Sequence, residues 1–216
     1  MATLLPLVLS AYLDALGEAV AFPPHADAEQ CAFCGVQSGR WQRFIRSSTD
    51  RRRLVAACPL CFLCCHLERP SIDKEAALVW LPEMSQAALN VMMRAIHMGL
   101  RALSEDLGDG DEERCSNTPE RARLDRARTA LSERRRDAVA RIGTECPSEL
   151  AAALYRLSPA GYANRAKLLA GVRLLPRGHF YDRGANIYPE IVDFWRGIAG
   201  PHASPTPGGL APVVPS

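Results

Sequence analysis

Cys31-Ala-Phe-Cys34-Gly35 and Cys58-Pro-Leu-Cys61-Phe-Leu-Cys64-Cys65-His66 are the two stretches that decide how this chain is read. Each carries a Cys-x-x-Cys pair, and 23 residues lie between Cys34 and Cys58. Paired thiols at this separation mark a tetrahedral thiolate site, with structural Zn²⁺ the expected ion. Two residues between sulfurs let one tight turn aim both at a single metal, and Gly35 suits such a turn because it accepts positive φ without a Cβ clash. The second stretch holds more donors than one metal needs. Cys58, Cys61, Cys64, Cys65 and His66 could complete the set in several combinations.

The rest of the composition narrows the class. A chain of 216 residues can bury a sizeable core without covalent staples. A formal charge of +2 makes no strong electrostatic claim on nucleic acid or anionic membrane. Eight cysteines could indicate a secreted disulfide framework, but their paired spacing and the chain length favour metal and a reducing compartment. Leu4 to Phe22 is the one stretch that resembles a targeting segment. It lacks a positive start, and Asp14 and Glu18 interrupt it. The expectation is a cytoplasmic protein that reaches a membrane only through a partner.

Periodicity predicts a mostly helical α+β chain. Apolar residues over 3–20 are spaced for a helix that Pro23 and Pro24 end. Trp41 to Ile45 and Leu54 to Ala57 read as short strands, and Cys61 to Glu68 as the helix after the second pair. Between the strands, Arg46 and Arg51 to Arg53 form a basic turn that could touch phosphate, with a solvated loop as the plainer reading. Ala76 to Leu81 is a third strand. Ser85 is a candidate N-cap for a long helix with Leu89, Met92, Met93, Ile96, Leu100, Leu103 and Leu107 on one face and His97 off it, in solvent. Gly108 to Pro119 reads as a loop and Pro119 to Ile142 as one charged helix. Pro147 to Leu157 and Pro159 to Leu169 are short helices that start at proline, the second capped by Ser158. Val172 to Leu175 is extended, and Ile187 to Ile198 a final helix. The chain therefore divides into an N-terminal helix (1–24), a metal module (25–83), a helical region (84–199) and a Pro/Gly/Ser/Ala tail (200–216) expected to be disordered.

The cysteine block resembles the zinc-bearing form of the HNH endonuclease, or ββα-metal, fold. That resemblance puts the second pair at the strand-to-helix junction and implies Cys31, Cys34, Cys58 and Cys61 as ligands. A Cys61-x-x-Cys64 pair remains the alternative. Where the nuclease motif has its general-base histidine this chain has Phe44. Arg53 takes the place of its asparagine, and Phe62 the place of its metal-side histidine. Without an imidazole to activate water, hydrolysis by that route has no base.

Three further motifs follow in order: Ala57-Cys58-x-x-Cys61-x-x-Cys64, Leu81-Pro82-Glu83-x-x-Gln86-Ala87-x-Leu89-Asn90, and Arg173-Leu174-Leu175-Pro176. With Cys31-x-Phe33-Cys34-Gly35-x-Gln37 they resemble the IcmJ (DotN) family of type IVB (Dot/Icm) secretion and related conjugation systems, over roughly residues 28 to 198. The chain departs from that family in residues 1–27 and in the charged stretch 105–141. The resemblance implies a non-enzymatic adaptor that binds the tail of a coupling ATPase and aids substrate recruitment. The rival expectations are an HNH-type endonuclease and a nucleic-acid-binding zinc module serving plasmid transfer. No nucleophile elbow, phosphate loop or dinucleotide fingerprint is present in the sequence.

Overall fold

The computed structural model describes residues 5–11, 30–46, 54–105 and 118–199. The basic turn at 51–53, the loop at 108–117 and the tail at 200–216 lie outside them, as do Cys115 and most of the N-terminal helix expected over 3–20. The fold class is as expected: helices with small antiparallel sheets, and a cysteine cluster able to hold a metal ion, with Cys58 to Cys65 carried on a ββα unit. A 3-10 turn at Gly39–Trp41 leads into β1 (Arg43–Arg46), which pairs antiparallel with β2 (Leu54–Ala57). Helix α1 (Pro59–Cys65) follows, starting two residues before the expected Cys61 because Pro59 supplies the first-turn φ.

Short α2 (Ile72–Glu75) runs directly into β3 (Ala76–Trp80), and α3 (Gln86–Glu105) follows. Ser85 does cap α3, its Oγ accepting the Ala88 amide at 3.2 Å. The single charged helix expected from Pro119 to Ile142 is two, α4 (Pro119–Glu133) and α5 (Arg135–Ile142). They meet at Arg134, whose ψ is −5° and whose carbonyl accepts the Trp80 amide at 3.2 Å. The helix bends where its own ladder is shared with the neighbouring strand. Beyond them come α6 (Pro147–Tyr155), α7 (Pro159–Ala163) and α8 (Arg165–Leu168), the last two replacing one expected helix. Ser158 caps α7 as expected, accepting from Gly161 N at 3.2 Å. Strand β4 (Val172–Pro176) returns to pair with β3, and α9 (Tyr188–Ala199) is the last described element.

A hairpin that periodicity did not reveal, β5 (Tyr181–Asp182) with β6 (Ala185–Asn186), precedes α9. Its turn places Arg183 and Gly184 at φ 48° and 84°, the two positive values that a tight primed turn requires.

The β3–β4 ribbon is buried on both faces. Leu78 and Leu174 point into the larger core with Cys58, Leu60, Leu63 and Trp195, while Val79 and Leu175 point into a smaller one with Leu89, Met93 and Ile96. Alternation along a strand thus feeds two cores from one ribbon. The larger core is continuous from the cysteine block to α9, across the boundary drawn at residue 83.

Residues 5–11 correct one expectation, for they carry no helix. Pro6 has no amide to donate, and the segment's backbone bonds run outward: Leu5 N to Ala32 O at 2.8 Å, Ser10 N to Cys64 O at 3.0 Å, and Leu67 N to Ser10 O at 3.2 Å. Leu9 and Ala11 are buried in the larger core. His97 corrects a second. It is buried, not solvated, with Nδ1 2.6 Å from the Tyr188 hydroxyl. Among the described residues no helix is long and apolar enough to cross a membrane.

Candidate metal centre

Two local devices shape the cysteine block. In the first, the Gly35 amide donates to Cys31 O at 2.8 Å with Gly35 at φ 72°, and Cys31 N donates to Val36 O at 2.8 Å. The Ala32 amide fastens this turn to β2 through Ala56 O at 2.9 Å. In the second, Cys58 is the N-cap of α1: its sulfur accepts the Cys61 amide at 3.4 Å. The strand-to-helix junction therefore turns Cys58 and Cys61 toward the first pair.

The sulfurs of Cys31, Cys34, Cys58 and Cys61 all lie within 4.8 Å of one another. Cys34 and Cys58 are 3.6 Å apart. A tetrahedral ion with metal–sulfur bonds of about 2.3 Å needs sulfurs about 3.8 Å apart, so this donor set fits one thiophilic ion. Three of the four cysteines are buried and Cys34 is partly exposed. Among the described residues no histidine or carboxylate joins the cluster. Hydrogen bonding from Cys34, Cys58 and Cys61 holds the Cys31 thiol far below its ordinary range. Burial pushes Cys58 well up, and the bond to Cys31 does the same for Cys61. Four sulfurs in one pocket thus hold their protons in competition, and a divalent cation at the centre would displace them.

The surplus donors stand apart. Cys64 donates to Leu60 O at 3.3 Å, and burial pushes its thiol well above the ordinary range. Cys65 is buried with its thiol pushed up to about 12, chiefly by burial. His66 Nδ1 lies 2.8 Å from Glu68 Oε1, and its ring centroid is 4.1 Å from that of Phe62. Cys146 sits at the N-cap position of α6, away from the cluster. Phe62 faces Phe180 at 6.3 Å, and the Arg69 guanidinium lies over both rings. Phe44 lies in β1 opposite Ala56.

Sequence reasoning missed Asn90. Its Nδ2 lies 3.3 Å from Cys61 Sγ and 3.7 Å from Cys64 Sγ. The available signal was a polar pair, Gln86 and Asn90, spaced i,i+4 alongside the apolar stripe of α3.

The class defined by fold and site is a mixed helix-and-sheet protein with a buried four-thiol cluster able to hold a metal ion. No protein-family model matches the chain, and comparison with curated proteins gives no match.

Proposed function

We propose that the four thiolates hold Zn²⁺ as a structural ion, and that the chain is a non-enzymatic adaptor. Its context, on the motif resemblance, is the coupling complex of a type IVB secretion or related conjugation system. There it binds the tail of the coupling ATPase and aids substrate recruitment, at the membrane only through that partner. The observation that carries the reading is a set of four thiols able to fill all four tetrahedral positions, packed on a ββα unit bearing Phe44 and Phe62. A catalytic zinc keeps one position open for water, whereas four cysteines close the sphere. Apolar rings at the two nuclease positions leave no base for a phosphodiester there. Mixed with the C-terminal tail of a coupling ATPase, the chain should form a complex stable through gel filtration. Plasmid incubated with it in Mg²⁺ or Mn²⁺ should stay intact. Nicking that is absent from a mock purification and lost with His66→Ala, the one imidazole in the cysteine block, would sink the adaptor reading, and so would failure to bind any coupling-ATPase tail.

A further inference from the structure

The Leu-Pro-Glu and Arg-Leu-Leu-Pro motifs have no part in the metal set, yet they converge on it through one chain of hydrogen bonds. Gln86 Oε1 accepts the Leu174 amide at 2.7 Å, and Gln86 Nε2 donates to the Leu174 carbonyl at 2.8 Å. A backbone amide can only donate and a carbonyl can only accept, so this contact fixes which end of the Gln86 carboxamide is nitrogen. The same Nε2 donates to Asn90 Oδ1 at 3.0 Å. Asn90 must therefore present its NH₂ group on the other side, where Cys61 Sγ lies at 3.3 Å and Cys64 Sγ at 3.7 Å. Gln86 and Asn90 are both buried. The orientation of Asn90 is thus dictated by the backbone of β4, two steps away.

We infer that Asn90 is an outer-sphere donor to the metal centre, a positioning residue aimed by Gln86, which stabilises charge on the Cys61 sulfur. This rests on the metal reading above. Four thiolates around a divalent ion carry net negative charge into an apolar core, and an N–H aimed at sulfur offsets part of that cost. Cys64, whose own S–H is directed to Leu60 O, takes the second N–H of Asn90 and stays a thiol outside the set. The long helix α3 and the β3–β4 ribbon are thereby tied to the metal centre.

The test uses the full chain and two readouts: competition for Zn²⁺ with a chromophoric chelator, and the thiolate-to-cobalt charge-transfer band after Co²⁺ substitution. Asn90→Leu should weaken Zn²⁺ affinity about 10- to 100-fold and move the band to lower energy, since sulfur lone pairs rise when a hydrogen bond is lost. Met93→Ala, a cavity in the smaller core on the same helix, should lower the melting temperature and leave the cobalt band in place. If the leucine variant does not fold, Asn90→Asp keeps the volume and replaces the donor by an acceptor, with the same loss and shift expected. An Asn90 variant that folds, binds Zn²⁺ within about twofold of the parent and shows an unmoved band overturns the assignment. So does a Met93→Ala chain whose band moves as far. A parent chain that takes up no metal overturns the metal reading and this inference together, a result distinct from an Asn90 variant that behaves as the parent does.

Discussion

Arg69 sets its guanidinium fork on Glu75, whose side chain is 0% exposed. Nε reaches Oε2 at 3.0 Å and Nη2 reaches Oε1 at 2.8 Å, and the same arginine donates to Tyr181 O at 2.7 Å. Glu75 also accepts the Tyr181 amide at 2.6 Å. One ion pair thus ties the segment between α1 and β3 to the β5–β6 hairpin. Arg69→Ala should cost about 3 kcal/mol or more, because it strands a buried carboxylate. Replacing both partners, as Arg69→Met with Glu75→Leu, should cost clearly less. Urea unfolding of the single and double variants measures the difference, and equal losses would contradict it.

The two adjacent cysteines of α1 should behave differently from the pair that precedes them. On the zinc reading, Cys58→Ser and Cys31→Ser each remove a metal donor, and the binding free energy lost, on the order of 10 kcal/mol, is folding free energy. Both should fail to retain stoichiometric Zn²⁺ and should lose the cooperative melt. Cys64→Ala should keep one Zn²⁺ per chain and cost about 1 kcal/mol for a lost hydrogen bond and a small void. Metal analysis of the purified variants decides the matter; Cys64→Ala without zinc would put Cys64 in the set.

His97 should make stability depend on pH. Burial, with Arg128 and His179 adding to it, pushes its imidazole down to about 4 from an ordinary 6.5. The folded state favours the neutral ring, while the unfolded chain takes up a proton near 6.5. Stability from this residue is therefore complete above pH 6.5 and lost as pH falls from 6.5 toward 4. The loss is about 3 kcal/mol at most by linkage. In denaturant titrations across that window the parent should decline more steeply than His97→Gln. Parallel curves would contradict the assignment.

Gly171 should not tolerate a side chain. Its φ is +87°, and a Cβ placed there would lie 2.5 Å from the Trp80 ring. Gly171→Ala should cost more than about 1 kcal/mol, from the left-handed backbone and the displaced indole together. The Trp80 ring also carries the Arg141 guanidinium at 4.0 Å, so near-ultraviolet dichroism should change along with the melt. A variant as stable as the parent would remove the strain argument.

Much of the fold was legible because local chemistry and tertiary demand agree. Ser85 and Ser158 cap the helices expected of them, and Leu54 to Ala57 is a strand as its apolar run predicts. The misreadings share one cause, partners distant in sequence. Residues 5–11 have helical spacing, but their backbone hydrogen bonds are made with Ala32, Cys64 and Leu67. Arg134 turns a helix because its carbonyl meets β3. His97 lies off the apolar stripe of its own helix but against Tyr188, 91 residues away.

The sequence by itself pointed to a cluster of thiols able to hold one ion, since two sulfurs separated by two residues can be aimed at one centre by a single turn, and it determined where most helices begin, since caps and prolines act over a few residues. It left open which cysteines of the second stretch face the first, because five donors in nine residues are equivalent as letters. Only the tertiary structure decided that Cys58 and Cys61 turn inward while Cys64 bonds to Leu60 and Asn90. That choice depends on the direction in which a strand enters a helix and on a polar chain running through Leu174, contacts between residues far apart that only the packed fold brings together.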